Sequence, residues 1–180
     1  MSRASVWFFL PCLSLLFAAP GLAQSNASGP LPCTAPPYRQ FDFWAGNWNV
    51  YDTTGTLIGT NRVEKVYGGC VLQENWVGLG PQHQTGSSFN TWNPGTRKWY
   101  QTWVDDSGGF LLLSGEFKDG AMVLTGDMET RRGHLWHRIT WNQVDNDADQ
   151  VRQFWETSTD QGQTWTPAFL GIYRRAPVSH

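Results

Sequence analysis

The sequence carries little charge and no concentrated block of either sign. Only 16% of its 180 residues are Asp, Glu, Lys or Arg, and the formal net charge is −2. There is no Lys/Arg run; Arg131-Arg132 and Arg174-Arg175 are isolated pairs that read as solvated turns or strand ends. The electrostatic footprint of a nucleic-acid-binding protein, or of one held on an anionic membrane surface, is therefore missing. Long helical periodicity is missing too, since beyond residue 23 no stretch sustains apolar spacing of three and four. No Gly-rich phosphate loop and no Gly-x-Ser-x-Gly elbow occurs, which removes two common catalytic frameworks. Histidine is scarce, at four residues. His134 and His137 are three apart and point to opposite faces of a strand. With no Cys or carboxylate cluster to add a third ligand, no metal site and no cofactor are expected.

The N-terminal segment has the three parts of an export signal: Arg3, an apolar stretch from Val6 to Ala19, and Gly21-Leu22-Ala23 with small residues at the cleavage positions. Residues 1–23 are expected to be removed. The stretch is too short, and broken by Pro11, to supply the roughly 20 apolar residues of a membrane span. Removing residues 1–23 of 180 leaves 157, and with Arg3 the charged residue lost the formal charge becomes −3. That is the length of one domain with a real core. The expected location is periplasmic or secreted. Cys33 and Cys70 are the cysteines left after cleavage, and an oxidising compartment makes a disulfide their simplest state; two buried thiols are the alternative.

Residues 24–37 are rich in Ser, Gly and Pro and read as an extended arm, with Asn26-Ala27-Ser28 a glycosylation sequon. Tyr38, Phe41, Asp42, Phe43 and Trp44 suit a short helical turn that plugs a barrel end. From Gly46 onward turn signals such as Asp52-Thr53-Thr54-Gly55, Asn93-Pro94-Gly95, Asp119-Gly120 and Asp145-Asn146 recur at short intervals. Between them lie segments rich in Trp, Tyr, Phe, Val and Thr. They predict about ten strands, near 48–51, 57–66, 71–78, 87–93, 98–104, 110–117, 121–127, 135–143, 151–158 and 165–173. The fold class is all-β. A meander of that length avoids exposed edges by closing into an antiparallel up-and-down barrel over 38–176, with a tail at 177–180; a two-sheet sandwich is the runner-up.

Tryptophan is abundant, with 11 residues. Trp99, Gln101 and Trp103 share one face of a strand, as do Leu72, Glu74 and Trp76. Trp136, Arg138 and Thr140 share another face, and Arg152, Phe154 and Glu156 a fourth. Mixed aromatic and polar faces suit a barrel whose interior is partly a cavity. Trp76, Trp99, Trp103, Trp136 and Trp155 are expected to line it, with Glu74, Gln101 and Arg152 orienting a polar end. Glu74 and Glu156 are the candidate acid/base groups, each with an ion pair to Arg138 or Arg152 as the plainer reading. Ser158-Thr159-Asp160-Gln161-Gly162-Gln163-Thr164-Trp165 matches the Asp-box pattern, in which the Asp accepts turn amides and the Gly takes positive φ. Asp160 is therefore read as a turn residue and not as a catalyst.

Gly46-Asn47-Trp48 at the first strand and Tyr173-Arg174-Arg175 at the last resemble the Gly-x-Trp and terminal Arg arrangement of the calycin superfamily, where the Arg packs across the Trp near the closed end. The run Phe41-Asp42-Phe43-Trp44-Ala45-Gly46-Asn47-Trp48 looks like the opening of an uncharacterised bacterial exported family with a lipocalin-like barrel. Gly69-Cys70-Val71-Leu72-Gln73-Glu74, Thr102-Trp103-Val104-Asp105 and Trp155-Glu156-Thr157-Ser158 add to the likeness. The resemblance implies a ten-strand barrel but no agreed substrate or catalytic residue. The related nitrobindins bind haem through a His near the C-terminal end, and the last two strands here hold none. The first expectation for function is a barrel binding a small, partly apolar molecule. An enzyme using the cavity (isomerase, cyclase or hydrolase) and a filled barrel acting through its loops are the alternatives.

Overall fold

The computed structural model describes residues 33–80 and 83–177. Ten antiparallel strands form a closed barrel: β1 (Gly46–Tyr51), β2 (Leu57–Val66), β3 (Val71–Gly78), β4 (Thr85–Asn93), β5 (Lys98–Asp105), β6 (Phe110–Lys118), β7 (Ala121–Thr130), β8 (Gly133–Val144), β9 (Asp147–Ser158) and β10 (Thr166–Arg175). Each strand pairs with its sequence neighbours, and β10 returns to β1 through Trp48↔Arg175 to Tyr51↔Ile172. The sandwich is thereby excluded. Turn chemistry drives the meander. Asp119-Gly120 and Asp145-Asn146 each place two successive residues at positive φ between directly paired strand ends, the backbone that matches strand twist in a two-residue hairpin.

One end of the barrel is sealed. Two 3-10 turns, Pro36–Arg39 and Asp42–Trp44, cross it and bury Phe41 and Trp44 completely. The first of these begins inside the segment read as an extended arm, because Cys33 is bonded to Cys70 and ties that segment down. Phe41 stacks on Trp44 at 4.9 Å and meets Trp99 and Trp141 edge-on. Such pairing adds about 1 kcal/mol per pair to the burial of the rings. The Trp48 indole N–H donates to the Trp44 carbonyl at 2.9 Å, and the Arg175 guanidinium lies 4.3 Å above the Trp48 ring. This is the Trp–Arg contact that the resemblance implies. Arg175 also donates to Asp149 and to the Ala148 carbonyl, latching the last strand over the plug.

The Asp-box forms the β9–β10 hairpin as its pattern requires. Asp160 accepts from the Thr164 amide and hydroxyl, and Gln161 and Gly162 take positive φ. Hydrogen bonds from Thr164 and Ser158 hold the Asp160 carboxyl low, at about 2. Trp165 folds onto the outer wall beneath Arg138 at 4.2 Å. The expected export signal and the sequon at Asn26 lie outside the described residues. No helix among the described residues is long and apolar enough to cross a membrane.

Candidate binding cavity

Strand alternation decides what the interior contains. Leu72, Glu74 and Trp76 of β3 point inward, as do Trp99, Gln101 and Trp103 of β5, His137, Ile139 and Trp141 of β8, and Val151, Gln153 and Trp155 of β9. Near the plug this interior is filled by the packed rings of Phe41, Trp44, Trp99 and Trp141. Toward the other end it opens into a cavity of about 100 Å³. Trp76, Trp103, Trp155, Phe169, Leu111 and Ile139 are among the residues that form its walls, while Glu74, Gln101, Gln153 and Tyr173 give it a polar floor. Gln84 stands at the mouth.

The walls are held in place. The Trp76 ring covers Gly59 and the Trp103 ring covers Gly86. A Cβ at either glycine would fall 2.2 or 2.3 Å from ring carbon, so both strand glycines exist to seat an indole. The Trp103 indole N–H donates to Asp105 at 3.0 Å, and the Trp155 indole N–H donates to His137 Nδ1 at 3.1 Å. Because Nδ1 accepts, the neutral His137 carries its proton on Nε2. Burial holds the imidazole below its ordinary pKa, which keeps that neutral form. These two indoles spend their donors on the protein and present their π surface to the cavity.

The floor is a chain of directed hydrogen bonds ending on a carboxyl. Gln101 donates to Asn90 Oδ1 at 2.8 Å, Asn90 to Ser88 Oγ at 2.9 Å, and Ser88 to Glu74 Oε2 at 2.6 Å. Asn61 donates to Glu74 Oε1 at 2.7 Å. The Tyr173 hydroxyl donates to Gln153. Burial is the largest influence on Glu74 and outweighs the bonds from Ser88 and Asn61, raising its pKa from 4.5 to about 7. Tyr173 is pushed well above its ordinary range, first by burial and then by Glu74. None of the ion pairs among the described residues involves Glu74. Among the described residues, no Lys, Arg or His lines the cavity.

The structure brings together Glu74, Trp76, Gln101, Trp103 and Trp155 of the residues expected from sequence. The other expected residues lie elsewhere. Trp99 faces inward but sits below the floor, against Phe41, with its indole N–H on Gln40. Trp136 is on the outer face of β8, 4.2 Å from the His134 ring. Arg152 is on the outer face of β9, over Phe154 at 4.8 Å. Glu156 shares that face and pairs with Arg138 at 2.9 Å, so it is no acid/base candidate for the cavity. These three carry the parity opposite to Trp155 and Trp141, and a strand cannot send both parities inward. Asn61, Ser88, Gln153, Trp141, Phe169 and Tyr173 were not anticipated. Parity counted outward from Trp155 picks out Gln153, but nothing local marks Asn61 or Ser88. No group of three or more His, Cys, Asp or Glu that could hold a metal occurs among the described residues.

The geometry defines a class: a closed ten-strand antiparallel barrel, plugged at one end, with an aromatic-walled cavity over a buried carboxyl at the other. No family model matches the chain, and no curated protein matches it.

Proposed function

We propose that this protein is a calycin-like binding barrel that holds a small, partly apolar molecule in the cavity above Glu74. The observation that supports this reading is the cavity itself: pre-seated indoles around it, with hydrogen-bonding groups gathered on one side. That division of apolar walls and a few convergent polar groups is what small-molecule sites share. Its size suits a ligand of roughly one ring, by comparison with a protein cavity of about 150 Å³ that takes up benzene. The Cys33–Cys70 disulfide supports an oxidising location, in keeping with the proposed export, and the narrower likeness to a bacterial exported family belongs with that proposal. Gentle purification followed by native mass spectrometry tests the reading. Extra mass that disappears on denaturation supports it. A clean mass, unchanged after exposure to a metabolite and lipid extract, moves the assignment to a filled barrel working through its loops.

One observation favours a second reading. A carboxyl titrating at about 7 inside a cavity is matched to proton transfer at neutral pH, the property of a general acid/base. If the barrel is an enzyme, Glu74→Gln abolishes turnover of the ligand recovered above. In a carrier the recovered ligand is released chemically unchanged.

A further inference from the structure

We infer that the ligand is a small organic cation, an alkylammonium or quaternary ammonium, whose charge is neutralised by Glu74 and whose alkyl groups pack against Trp76, Trp103 and Trp155. This rests on the reading of the cavity as a binding site and names the chemistry it takes.

Charge balance makes the argument. An isolated carboxylate in a water-poor interior is strongly unfavourable unless a positive charge or a proton compensates it. Glu74 is 5% exposed, and its hydrogen bonds come from two neutral groups, Asn61 and Ser88. Among the described residues no cationic side chain lines the cavity, so they supply no counter-charge there. Yet the polar floor is oriented for an anion: Gln101, Asn90 and Ser88 each donate toward the carboxyl in one direction. A site built to carry negative charge, and left without a partner, is completed by a positive ligand.

The walls agree. With the indole N–H groups of Trp103 and Trp155 directed to Asp105 and His137, those rings offer their electron-rich faces. Aromatic faces around a desolvated ammonium are a recurring mode of quaternary-amine recognition. An anionic ligand would lie against Glu74 with no cation to hold it. At the open end Asp52, Asp106 and Asp160 in the loops and Asp105 at the end of β5 outnumber Arg131 and Arg132 among the described residues, a balance that favours cations at the mouth.

The test compares compact probes that share a trimethyl head on the apo protein: tetramethylammonium, neutral tert-butanol and the slightly larger anionic pivalate, followed by Trp fluorescence and calorimetry. The cation is expected to bind, with pivalate undetected and tert-butanol at least about tenfold weaker. Glu74→Gln should weaken the cation at least about 30-fold, as expected when one member of a buried charge pair is lost, while leaving tert-butanol within about twofold. Trp103→Leu, which keeps Glu74, should weaken the cation selectively and guards against a folding artefact. Equal binding of tert-butanol and tetramethylammonium overturns the cation assignment while leaving the cavity as a binding site. Stronger binding of pivalate does the same. If no probe binds, the cation assignment fails, and native mass spectrometry of the gently purified protein decides separately whether the cavity holds any ligand.

Discussion

Replacing Glu74 by Gln should stabilise the unliganded protein, and by an amount that depends on pH. The exchange keeps size and shape. It also keeps an amide oxygen to accept from Asn61 or Ser88, and it removes the charge that the buried site must otherwise carry without a partner. Tyr173 is the other titratable group facing this carboxyl and stays protonated throughout. In the folded protein Glu74 titrates at about 7 instead of 4.5. Between those values the native state holds a proton that the unfolded chain has released, so wild-type stability falls as pH rises from about 4.5 to about 7. Below that window both states are protonated and nothing is lost. Above it the full penalty is present, about 3 kcal/mol at about 1.4 kcal/mol per decade of acidity.

The Gln variant has no such titration. Urea or thermal unfolding of both proteins from pH 4 to pH 9 therefore gives a difference near zero at the acid end. That difference should grow to about 3 kcal/mol above pH 8, or roughly 6–12 °C in Tm for a domain of this size. A difference independent of pH would refute the reasoning. So would a wild type that gains on the variant as pH rises, since that would mean the site holds the carboxylate ionised by itself. A bound organic cation would restore the wild type at high pH, because it stabilises the ionised form selectively.

Other expectations follow from the same geometry. Removing the Cys33–Cys70 bond, which spans 37 residues, by Cys70→Ser should cost roughly 3–4 kcal/mol in urea unfolding, with the barrel still forming. Phe41→Ala empties the centre of the plug and should cost about 3–5 kcal/mol; a loss under 1 kcal/mol would mean that the plug does not carry the closed end. Glu156→Gln breaks a pair on the outer wall whose carboxylate is largely covered, and should cost about 1–3 kcal/mol while changing ligand affinity by less than about twofold. Gly86→Val should push the Trp103 ring off its seat and weaken cavity binding at least tenfold, read as a changed Trp fluorescence spectrum and a raised Kd.

The strands were legible because hairpins announce themselves. Asp119-Gly120, Asp145-Asn146 and the Asp-box each fix a reversal locally, and ten strands between short turns leave few ways to hide the edges. The plug was legible for a similar reason, since Phe41 and Trp44 sit beside the first strand in sequence and had to be buried nearby. The cavity was legible only where one strand carried a consistent parity. On β3 and β5 the face with Glu74 and Trp76, or with Gln101 and Trp103, was read as it stands. On β8 and β9 both faces hold large rings and polar groups, so composition could not choose between Trp136 and Trp141, or between Arg152 and Gln153. The two-residue period does separate one pair, because Trp155 and Arg152 cannot share a side of one strand. Asn61 and Ser88 were beyond reach. Their role comes from lateral registers, Asn61 next to Trp76 on β3 and Ser88 next to Glu74, that only a folded sheet supplies.

The interior itself argues against a barrel that is merely filled. Where packing is the only requirement, inward positions become apolar and interlock, as they do here around Phe41, Trp44, Trp99 and Trp141. Farther from the plug the same barrel carries a buried carboxyl that pairs with no cation among the described residues, indoles seated on glycines, and a cavity between them. The uncompensated carboxyl and the unfilled volume both lower the stability of the unliganded fold, and none of the three features is needed to close the sheet. Departures from local packing rules that gather in one place are what a binding site would leave in an otherwise packed barrel, in keeping with the proposed function. Glu74 is the sharpest case, since a single Glu→Gln exchange would relieve its cost without moving an atom of the backbone. That the carboxyl stands there, at the end of a row of donors, is the reason to look for a positively charged ligand before any other.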